Sequence, residues 1–159
     1  MIKGEKNMDI ELLPVDNREE YKPFLLLADE EVDMVDAYLH EGELTAIRLD
    51  SAVVGVCLFV FPDEESVEIK NIAISEAYRG KGIGKHVITK AAQQYKEKGY
   101  TSMIVGTSNS SIENLSFYQK AGFRFDHILP DYFLRYPQPF YENGIRGIDM
   151  VVFRKSLLD

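Results

Sequence analysis

The chain has 159 residues, of which 45% are hydrophobic and 28% are charged, as is typical of a soluble globular protein. Its formal net charge of −8 argues against nucleic acid as the main partner, because proteins that bind the phosphate backbone present basic patches. An acidic surface is compatible with a cationic substrate such as an amine. We expect a single domain over residues 1–159, with residues 1–7 as a flexible lead-in.

The cysteine and histidine residues predict neither a disulfide nor a metal site. Cys57 is the single cysteine and lies in an apolar run, so it is predicted to be a buried strand residue. His40, His86 and His127 are scattered, with no histidine or cysteine at metal-ligand spacing. The longest apolar run, residues 52–61, is too short to span a bilayer, and the N-terminus lacks the apolar segment of a signal peptide. We therefore expect a cytoplasmic protein without a membrane partner.

The beginning of the chain predicts one strand and two helical pieces. Residues 8–14 alternate as a strand does, with Ile10 and Leu12 on one side. Residues 17–40 carry helical spacing in two pieces, and Pro23 forces a kink or a late start in the first of them. This segment is expected to be helical.

Three β-like runs follow closely and predict an antiparallel meander. Clusters of turn residues separate them, so each run can fold back on the one before it. The runs occupy residues 43–49, 52–61 and 66–74. The last run becomes apolar on both sides at Ile72, Ala73 and Ile74, as expected for a strand that enters the middle of a sheet.

The second half of the chain alternates between helix and strand. Ile83, Val87, Ala91 and Tyr95 share one helical face, and Gly99 supplies a helix stop. The pattern after Gly99 predicts a strand, a shorter helix and a strand at residues 101–105, 110–122 and 123–129. With the preceding strand and helix, these elements form a βαβαβ half. A final strand is predicted at residues 148–153.

Three glycines, Gly80, Gly82 and Gly84, stand directly before the long helix. A P-loop needs four residues between its glycines and then Lys-Ser or Lys-Thr, but here the spacing is one residue short and His86 follows Lys85. A dinucleotide fingerprint needs a glycine where Lys85 stands. Arg79, Gly82 and Gly84 instead satisfy the pattern Arg-x-x-Gly-x-Gly.

Such a loop can seat a pyrophosphate for a physical reason. Glycines let backbone N–H groups turn inward without a Cβ, and the N-terminus of a helix adds a partial positive charge. A strand-to-helix turn without a ligand is the alternative interpretation of the same glycines.

A second motif follows in order, and together the two motifs resemble the GNAT superfamily of N-acetyltransferases. In residues 109–123, Tyr118, Gly122 and Phe123 fit the family pattern Tyr-x-x-x-Gly-Phe. The resemblance covers residues 67–125. It implies an α/β fold of the acyl-coenzyme A N-acyltransferase type, with a central twisted mixed sheet flanked by helices. In that fold the strands at residues 66–74 and 101–105 run parallel and splay apart, so that the pantetheine arm of coenzyme A enters between them.

The resemblance also implies where coenzyme A binds. Backbone groups near Ile72, Ala73 and Ile74 would pair with the pantetheine amides, as a strand edge pairs with a peptide. The pyrophosphate would sit on Arg79, Gly80, Lys81, Gly82, Ile83, Gly84 and Lys85. The family often has an asparagine seven residues before the tyrosine, where this chain has Ser111. Asn109 and Asn114 are therefore candidate contacts to the cofactor, and Asn109 could equally cap the following helix.

Two residues are the catalytic candidates that the resemblance implies. Tyr118 would protonate the departing sulfur, and Glu68 would take a proton from the amine through a water. The alternatives are a core tyrosine on an apolar face with Ile112 and Leu115, and a solvent-facing strand glutamate. Asn71, on the other side of the same strand, is expected at most to orient loop backbone.

The implied function is transfer of an acetyl group from acetyl-coenzyme A, without a metal, to a primary amine. We expect a small-molecule acceptor and direct attack in a ternary complex, since Cys57 is badly placed for a covalent intermediate. Acetylation of a protein N-terminus or lysine, and a non-catalytic acyl-coenzyme A sensor, are the alternatives. Residues 130–147 predict an ordered, aromatic-rich loop that either covers the sheet or walls an amine pocket with Asp131 and Glu142 as charge partners. The resemblance also allows a homodimer.

Overall fold

The computed structural model describes residues 8–158, so the predicted lead-in at residues 1–7 lies outside the described residues. Within that range, strands and helices alternate along most of the chain. The strands are β1 (Ile10–Pro14), β2 (Glu43–Leu49), β3 (Ala52–Val60), β4 (Ser66–Ile74), β5 (Ser102–Ser108), β6 (Arg124–Leu129), β7 (Tyr141–Glu142), β8 (Ile145–Arg146) and β9 (Met150–Ser156). The α-helices are α1 (Lys22–Ala28), α2 (Val32–Tyr38), α3 (Ile83–Glu97) and α4 (Ile112–Lys120).

The strands form one mixed sheet and a separate hairpin. The sheet has the order β1-β2-β3-β4-β5-β9-β6, and β7 pairs with β8. β1 is antiparallel to β2, β4 is parallel to β5, and β9 is antiparallel to both β5 and β6. The mixed sheet flanked by helices confirms the fold class that the sequence predicts.

Short turns account for the predicted meander. Asp50 and Ser51, between β2 and β3, have φ angles of 48° and 76°, as a two-residue type I′ hairpin turn requires. Between β3 and β4, Asp63 Oδ1 accepts the N–H groups of Glu65 and Ser66, each at 2.8 Å. The backbone hydrogen bond from Glu65 is the main cause that lowers the pKa of Asp63.

The chain divides into two compact units. Unit 1 comprises residues 8–58 and 71–91. Its main apolar cluster packs α1 and α2 with strand residues and contains Leu25, Val35, Tyr38, Leu39, Leu44, Val56, Leu58 and Ala73. Arg18 satisfies the carbonyl groups at the end of α2, donating to Leu39, Glu41 and Gly42. That the whole chain is one domain stays a prediction.

Unit 2 comprises residues 59–70 and 92–158. The predicted order of strand, helix, strand, helix and strand is confirmed as β4, α3, β5, α4 and β6 along the chain. In the sheet, β9 lies between β5 and β6 and pairs with both. The core of this unit includes Met103, Val105, Phe123 and Phe153. Tyr95 packs against Phe59, with ring centroids 5.0 Å apart.

Two other predictions differ in detail from the structure. The predicted apolar face of α4 holds Ile112, Leu115 and Tyr118, but Ile112 is the first residue of the helix and is 45% exposed. The segment at residues 130–147 is ordered, as predicted, and it contains a 3-10 turn at Tyr132–Arg135 as well as the β7–β8 hairpin. Within residues 8–158 no helix is long and apolar enough to cross a membrane.

Candidate functional site

The glycine loop leads directly into α3. Gly80 and Gly82 have φ angles of 74° and 79°, in the left-handed region that favours glycine. A Cβ on either residue would meet no atom within 4 Å, so the backbone is open on that side. The His86 N–H donates to the Gly82 carbonyl at 3.2 Å, which begins the helical hydrogen bonding. The loop is therefore an open stretch of backbone at the positive end of a helix.

The charges around the loop suit an anion. The first N–H groups of a helix have no partner within the helix and point out of its end. The first turn of α3 carries no acidic residue, and Lys81 and Lys85 are exposed beside it. Ile83 is buried, so only its backbone can face a ligand. The loop thus fits a phosphate or pyrophosphate group, because open backbone and cationic side chains occur together.

Arg79 connects this loop to the end of β4. Its Nε donates to the Ile74 carbonyl at 2.9 Å, which holds the loop against the strand. On the neighbouring strand, Gly55 allows close approach, since a Cβ there would fall on the Ala73 carbonyl oxygen. The Ser75 N–H donates to the Val54 carbonyl at 2.8 Å beside it. Sequence reasoning missed Gly55, although a glycine inside an apolar strand pattern is the signal for such a contact.

Tyr118, in unit 2, is held by aromatic packing on α4. Its side chain is 5% exposed, and its ring lies 5.1 to 5.8 Å from those of Phe117, Phe123 and Phe153. The Tyr-x-x-x-Gly-Phe motif has a local explanation: Gly122, with a φ of 96°, ends the helix, and the Phe123 N–H returns to the Tyr118 carbonyl at 2.9 Å. The motif therefore fixes the position of the tyrosine.

Glu68 is half-buried in β4, in register with Ile104 of β5. The paired register of these two parallel strands runs from Ser66 with Ser102 to Ile69 with Val105. Glu68 therefore lies within the paired part of β4, and its catalytic role stays a prediction.

Asn109 has a different role from the predicted helix cap. Its Oδ1 accepts the N–H groups of Ile148 and Asp149 at 2.8 and 3.0 Å, and its Nδ2 donates to the Arg146 carbonyl at 3.1 Å. The N-cap of α4 is Ser111, so the capping prediction for Asn109 is wrong. The side chain instead ties the end of β5 to a segment almost 40 residues later, a contact that no local pattern signals.

Asn114 and Glu142 make contacts around the start of α4. Asn114 is exposed on the helix and donates Nδ2 to Thr107 Oγ1 at 3.2 Å. Glu142 Oε1 accepts the hydroxyl groups of Ser110 and Ser111 at 3.0 and 2.7 Å. The carboxylate of Glu142 therefore holds the β7–β8 hairpin to the loop before α4.

The aromatic residues at 130–147 contact one another. Phe133 lies at the centre of the group, with its ring centroid 5.0 to 5.3 Å from those of Tyr132, Tyr136 and Phe140. Tyr141 is largely exposed. These rings therefore pack against one another within unit 2.

Asn71, in unit 1, makes a buried polar contact that sequence reasoning missed. Its Nδ2 donates to the Leu25 carbonyl and to the Tyr38 hydroxyl, both at 2.9 Å. The Tyr38 hydroxyl in turn donates to Asp29 Oδ2 at 3.2 Å. Oδ1 of Asn71 is buried and has no hydrogen-bond partner among residues 8–158. The partners of Asn71 belong to α1 and α2 rather than to a loop.

Neither a reactive cysteine nor a metal centre is found among residues 8–158. Cys57 is fully buried in β3, and burial raises the pKa of its thiol. It is therefore no accessible nucleophile. In the part of the chain that the structure describes, no cluster of three or more His, Cys, Asp or Glu side chains could hold a metal ion.

Known proteins share both the sequence and the fold. Residues 11–123 match the sequence model of the Acetyltransferase (GNAT) family. An uncharacterized N-acetyltransferase of Bacillus subtilis (strain 168), YvbK, is 42% identical over 147 residues, which cover 92% of this chain and 94% of the relative.

Two solved structures are similar over nearly the whole chain. A GNAT family acetyltransferase from Elizabethkingia anophelis with acetyl-CoA bound has a TM-score of 0.85 and 35% identity, covering 96% of this chain and 99% of that one. The Bacillus subtilis acetyltransferase in complex with CoA has a TM-score of 0.84 and 40% identity, covering 96% and 100%.

Proposed function

Because this chain belongs to the GNAT family of acetyltransferases, we propose that it transfers an acetyl group from acetyl-coenzyme A to the primary amine of a small molecule. The reaction is direct attack of the amine within a ternary complex. The observation that carries the proposal is the open, positively charged glycine loop at the start of α3. Two similar structures are described as containing acetyl-CoA or CoA, which supports the same ligand for this loop.

The cofactor would be held by backbone and by lysine side chains. The N–H groups of Gly82, Ile83 and Gly84, with Lys81 and Lys85 beside them, would bind the pyrophosphate. Gly80 supplies the second open position of the loop. When bound, acetyl-coenzyme A supplies the thioester carbonyl that the amine attacks.

The end of β4 would contribute to the same seat. Backbone groups of Ile72, Ala73 and Ile74 are the proposed partners of the pantetheine amides. Because Arg79 Nε already binds the Ile74 carbonyl, we assign Arg79 to positioning the loop. Asn114 is the proposed side-chain contact from α4, whereas the amide of Asn109 is engaged with residues 146–149 and serves to position them.

Two side chains would move protons. Tyr118 would donate its phenolic proton to the sulfur as the thioester C–S bond breaks, and its packing against three rings restricts the hydroxyl to a narrow set of positions. Glu68 would take one proton from the ammonium through a water, which leaves the amine lone pair able to attack. The second proton, which the nitrogen loses as the amide forms, would restore the tyrosine hydroxyl. The formal net charge of −8 favours a cationic acceptor of this kind.

The first experiment combines binding with turnover. The native chain is titrated with acetyl-coenzyme A by calorimetry and then assayed for free coenzyme A thiol with ethanolamine, benzylamine, 1,4-diaminobutane and lysine amide. Two peptides are added, one with a free N-terminus and one with a single lysine and a blocked N-terminus. Saturable binding and turnover of at least one small amine are expected.

Each other result identifies a different function. Absence of acetyl-coenzyme A binding contradicts the cofactor seat altogether. Binding without turnover of any acceptor favours the sensor module, and turnover of the peptides alone favours protein acetylation. Glu68→Gln and Tyr118→Phe, assayed alongside, are expected to bind acetyl-coenzyme A as the native chain does but to turn over slowly.

A further inference from the structure

Strand β6 (Arg124–Leu129), in unit 2, is the last strand of the sheet and is exposed along its whole length. It pairs with β9 on one side, and among residues 8–158 its other edge has no partner strand. All six residues are exposed, including Phe125 at 59% and Ile128 at 49%. An edge strand of this kind presents unpaired backbone N–H and C=O groups, which pair readily with a further strand.

The two apolar side chains lie on the same face of β6. Phe125 is in register with Phe153 of β9. Ile128 is in register with Val151, two residues earlier in β9, and residues two apart in a strand share a face. A bulge between Phe125 and His127 makes this possible, because residues three apart in a regular strand point to opposite faces. The free edge of the strand is therefore lined on one face by an apolar strip.

The polar side chains of β6 lie on the other face and nearly cancel in charge. Arg154 of β9 follows Phe153, so it points to the opposite face, and its Nε donates to Asp126 Oδ1 at 3.3 Å. Asp126 also hydrogen-bonds His127 Nδ1 at 2.6 Å. With one arginine, one aspartate and a neutral histidine, β6 has no formal charge, whereas the whole chain carries −8. Two copies of the chain can therefore meet at β6 without the repulsion expected between acidic surfaces.

We propose that β6 pairs with β6 of a second copy of this chain, antiparallel and about a two-fold axis perpendicular to the sheet. The strand is complementary to itself in this arrangement. When the axis passes between Asp126 and His127, Phe125 lies opposite Ile128 of the second copy. Each Asp126 likewise lies opposite the second copy's His127, on the other face. Apolar groups thus meet apolar groups, and carboxylates meet imidazoles.

The proposed interface is small, so the dimer is expected to be weak. Six residues from each strand bury much less than the area of about 1,600 Å² that is standard for stable interfaces, and we expect a Kd on the order of 10 μM. The proposed acetyl transfer needs no second copy. This inference therefore goes beyond the proposed function and does not depend on it.

The first test is sedimentation equilibrium of the full chain over about 1–200 μM, a range that brackets the expected Kd. The native mass should rise with concentration from that of one chain, 18.2 kDa, towards twice that value. Ile128→Glu places a carboxylate in the apolar strip. Because a two-fold interface contains each substitution twice, this variant should raise the Kd about 100-fold or more.

The matched control is Ile112→Glu, the same change at a residue of unit 2 that is 45% exposed but lies outside β6. It should leave the Kd within about twofold of the native value, as surface substitutions usually do. A native chain that stays monomeric at every concentration overturns the proposal. So does a dimer that both variants weaken equally, or one that a folded Ile128→Glu variant leaves intact. Thermal melting establishes that the variants are folded.

Hydrogen exchange on the native chain needs no variant. Exchange is followed by mass spectrometry for peptides that cover β6 and, as a control, for peptides that cover β1 (Ile10–Pro14), at the lowest and highest concentrations of the series. The β6 amides should exchange more slowly at high concentration, because strand pairing gives their free N–H groups acceptors. The β1 amides should not change. A dimer in which β6 exchanges equally fast at both concentrations uses another surface, which overturns the proposal.

Discussion

Two asparagines in different parts of the molecule, Asn109 half-buried and Asn71 buried, differ in the hydrogen bonds that their amide oxygens accept. Asn109, in unit 2, accepts two backbone N–H groups and donates to a carbonyl. Asn71, in unit 1, donates twice but leaves its oxygen unmatched among the described residues. The first residue completes the hydrogen bonds of a segment that would otherwise lack them. The second leaves its buried oxygen without a hydrogen-bond partner among residues 8–158.

The largest effect is expected from Tyr118→Phe. This substitution tests whether Tyr118, in unit 2, takes part in catalysis or is only a core residue. The phenylalanine ring keeps the packing with Phe123 and Phe153, and only the hydroxyl is lost. Loss of a general acid should lower kcat by about 100-fold or more. Steady-state kinetics measure the fall in kcat, and thermal melting checks that the stability of the variant is unchanged. A kcat within a few fold of native would identify Tyr118 as a core residue alone.

Asn109→Ala is expected to give the second-largest effect, on stability rather than on rate. It removes three hydrogen bonds and leaves the N–H groups of Ile148 and Asp149 without their acceptor. The expected loss is about 2–4 kcal/mol of unfolding free energy, which is roughly 5–15 °C in Tm for a chain of this size. Thermal melting measures it directly.

The matched control for that prediction is Asn114→Ala, which removes a single part-buried hydrogen bond to Thr107. Its Tm should change by less than about 3 °C. Calorimetry on both variants completes the comparison. If Asn109→Ala kept its Tm but lost affinity for acetyl-coenzyme A, Asn109 would be a cofactor contact, and the contrast with Asn71 would disappear.

Gly82→Ala extends the comparison from asparagine side chains to the backbone N–H groups of the glycine loop. Its control is Gly144→Ala in the β7–β8 turn, because the two glycines have φ angles of 79° and 73° and open space where a Cβ would stand. Both substitutions should cost about 1–2 kcal/mol in backbone strain. Only Gly82→Ala should weaken acetyl-coenzyme A binding, by about tenfold on calorimetry, since its Cβ would enter the pyrophosphate seat. Equal affinities in the two variants would assign the loop to a ligand-free turn.

The smallest effect is expected at Asp126 on β6. Its carboxylate is hydrogen-bonded to His127 and Arg154, but the residue is exposed to solvent. The hydrogen bond with His127 is the main cause that lowers the pKa of Asp126, with Arg154 adding to it. A lowered pKa in the folded state contributes stability above the ordinary pKa of aspartate, and that contribution is lost as pH falls through the folded value. Melting curves of native and Asp126→Asn should therefore differ slightly at neutral pH and converge on acidification. A difference in melting temperature that grows as the pH falls would contradict a lowered pKa for Asp126.

Local features of the sequence predicted much of the fold and of the cofactor seat. The turn at Asp50 and Ser51 and the long helix that ends at Glu97, just before Gly99, are set by residues within a few positions of each other, and both predictions are confirmed. The same holds for the glycine loop, whose left-handed φ angles follow from its glycines. Patterns of this kind act over short stretches of chain, where spacing alone carries the information.

The rest depends on partners that are distant in the sequence. The insertion of β9 between β5 and β6 is a choice of strand neighbours, which alternation of apolar residues does not encode. Asn109 binds residues 37 to 40 positions away, and Asn71 binds Leu25 and Tyr38, 46 and 33 positions away. Only the three-dimensional packing shows that one amide is complete and the other is not.

The burial of Cys57 gives the protein an internal reporter of its own opening. It is the single thiol of the chain and lies fully buried in β3, so alkylating reagents should modify only molecules in which this strand has come away from its surroundings. Acetyl-coenzyme A has no free thiol and does not consume iodoacetamide. The rate of labelling, followed by intact mass, would therefore compare how often the strand opens with and without the cofactor, in the native chain and without an engineered probe.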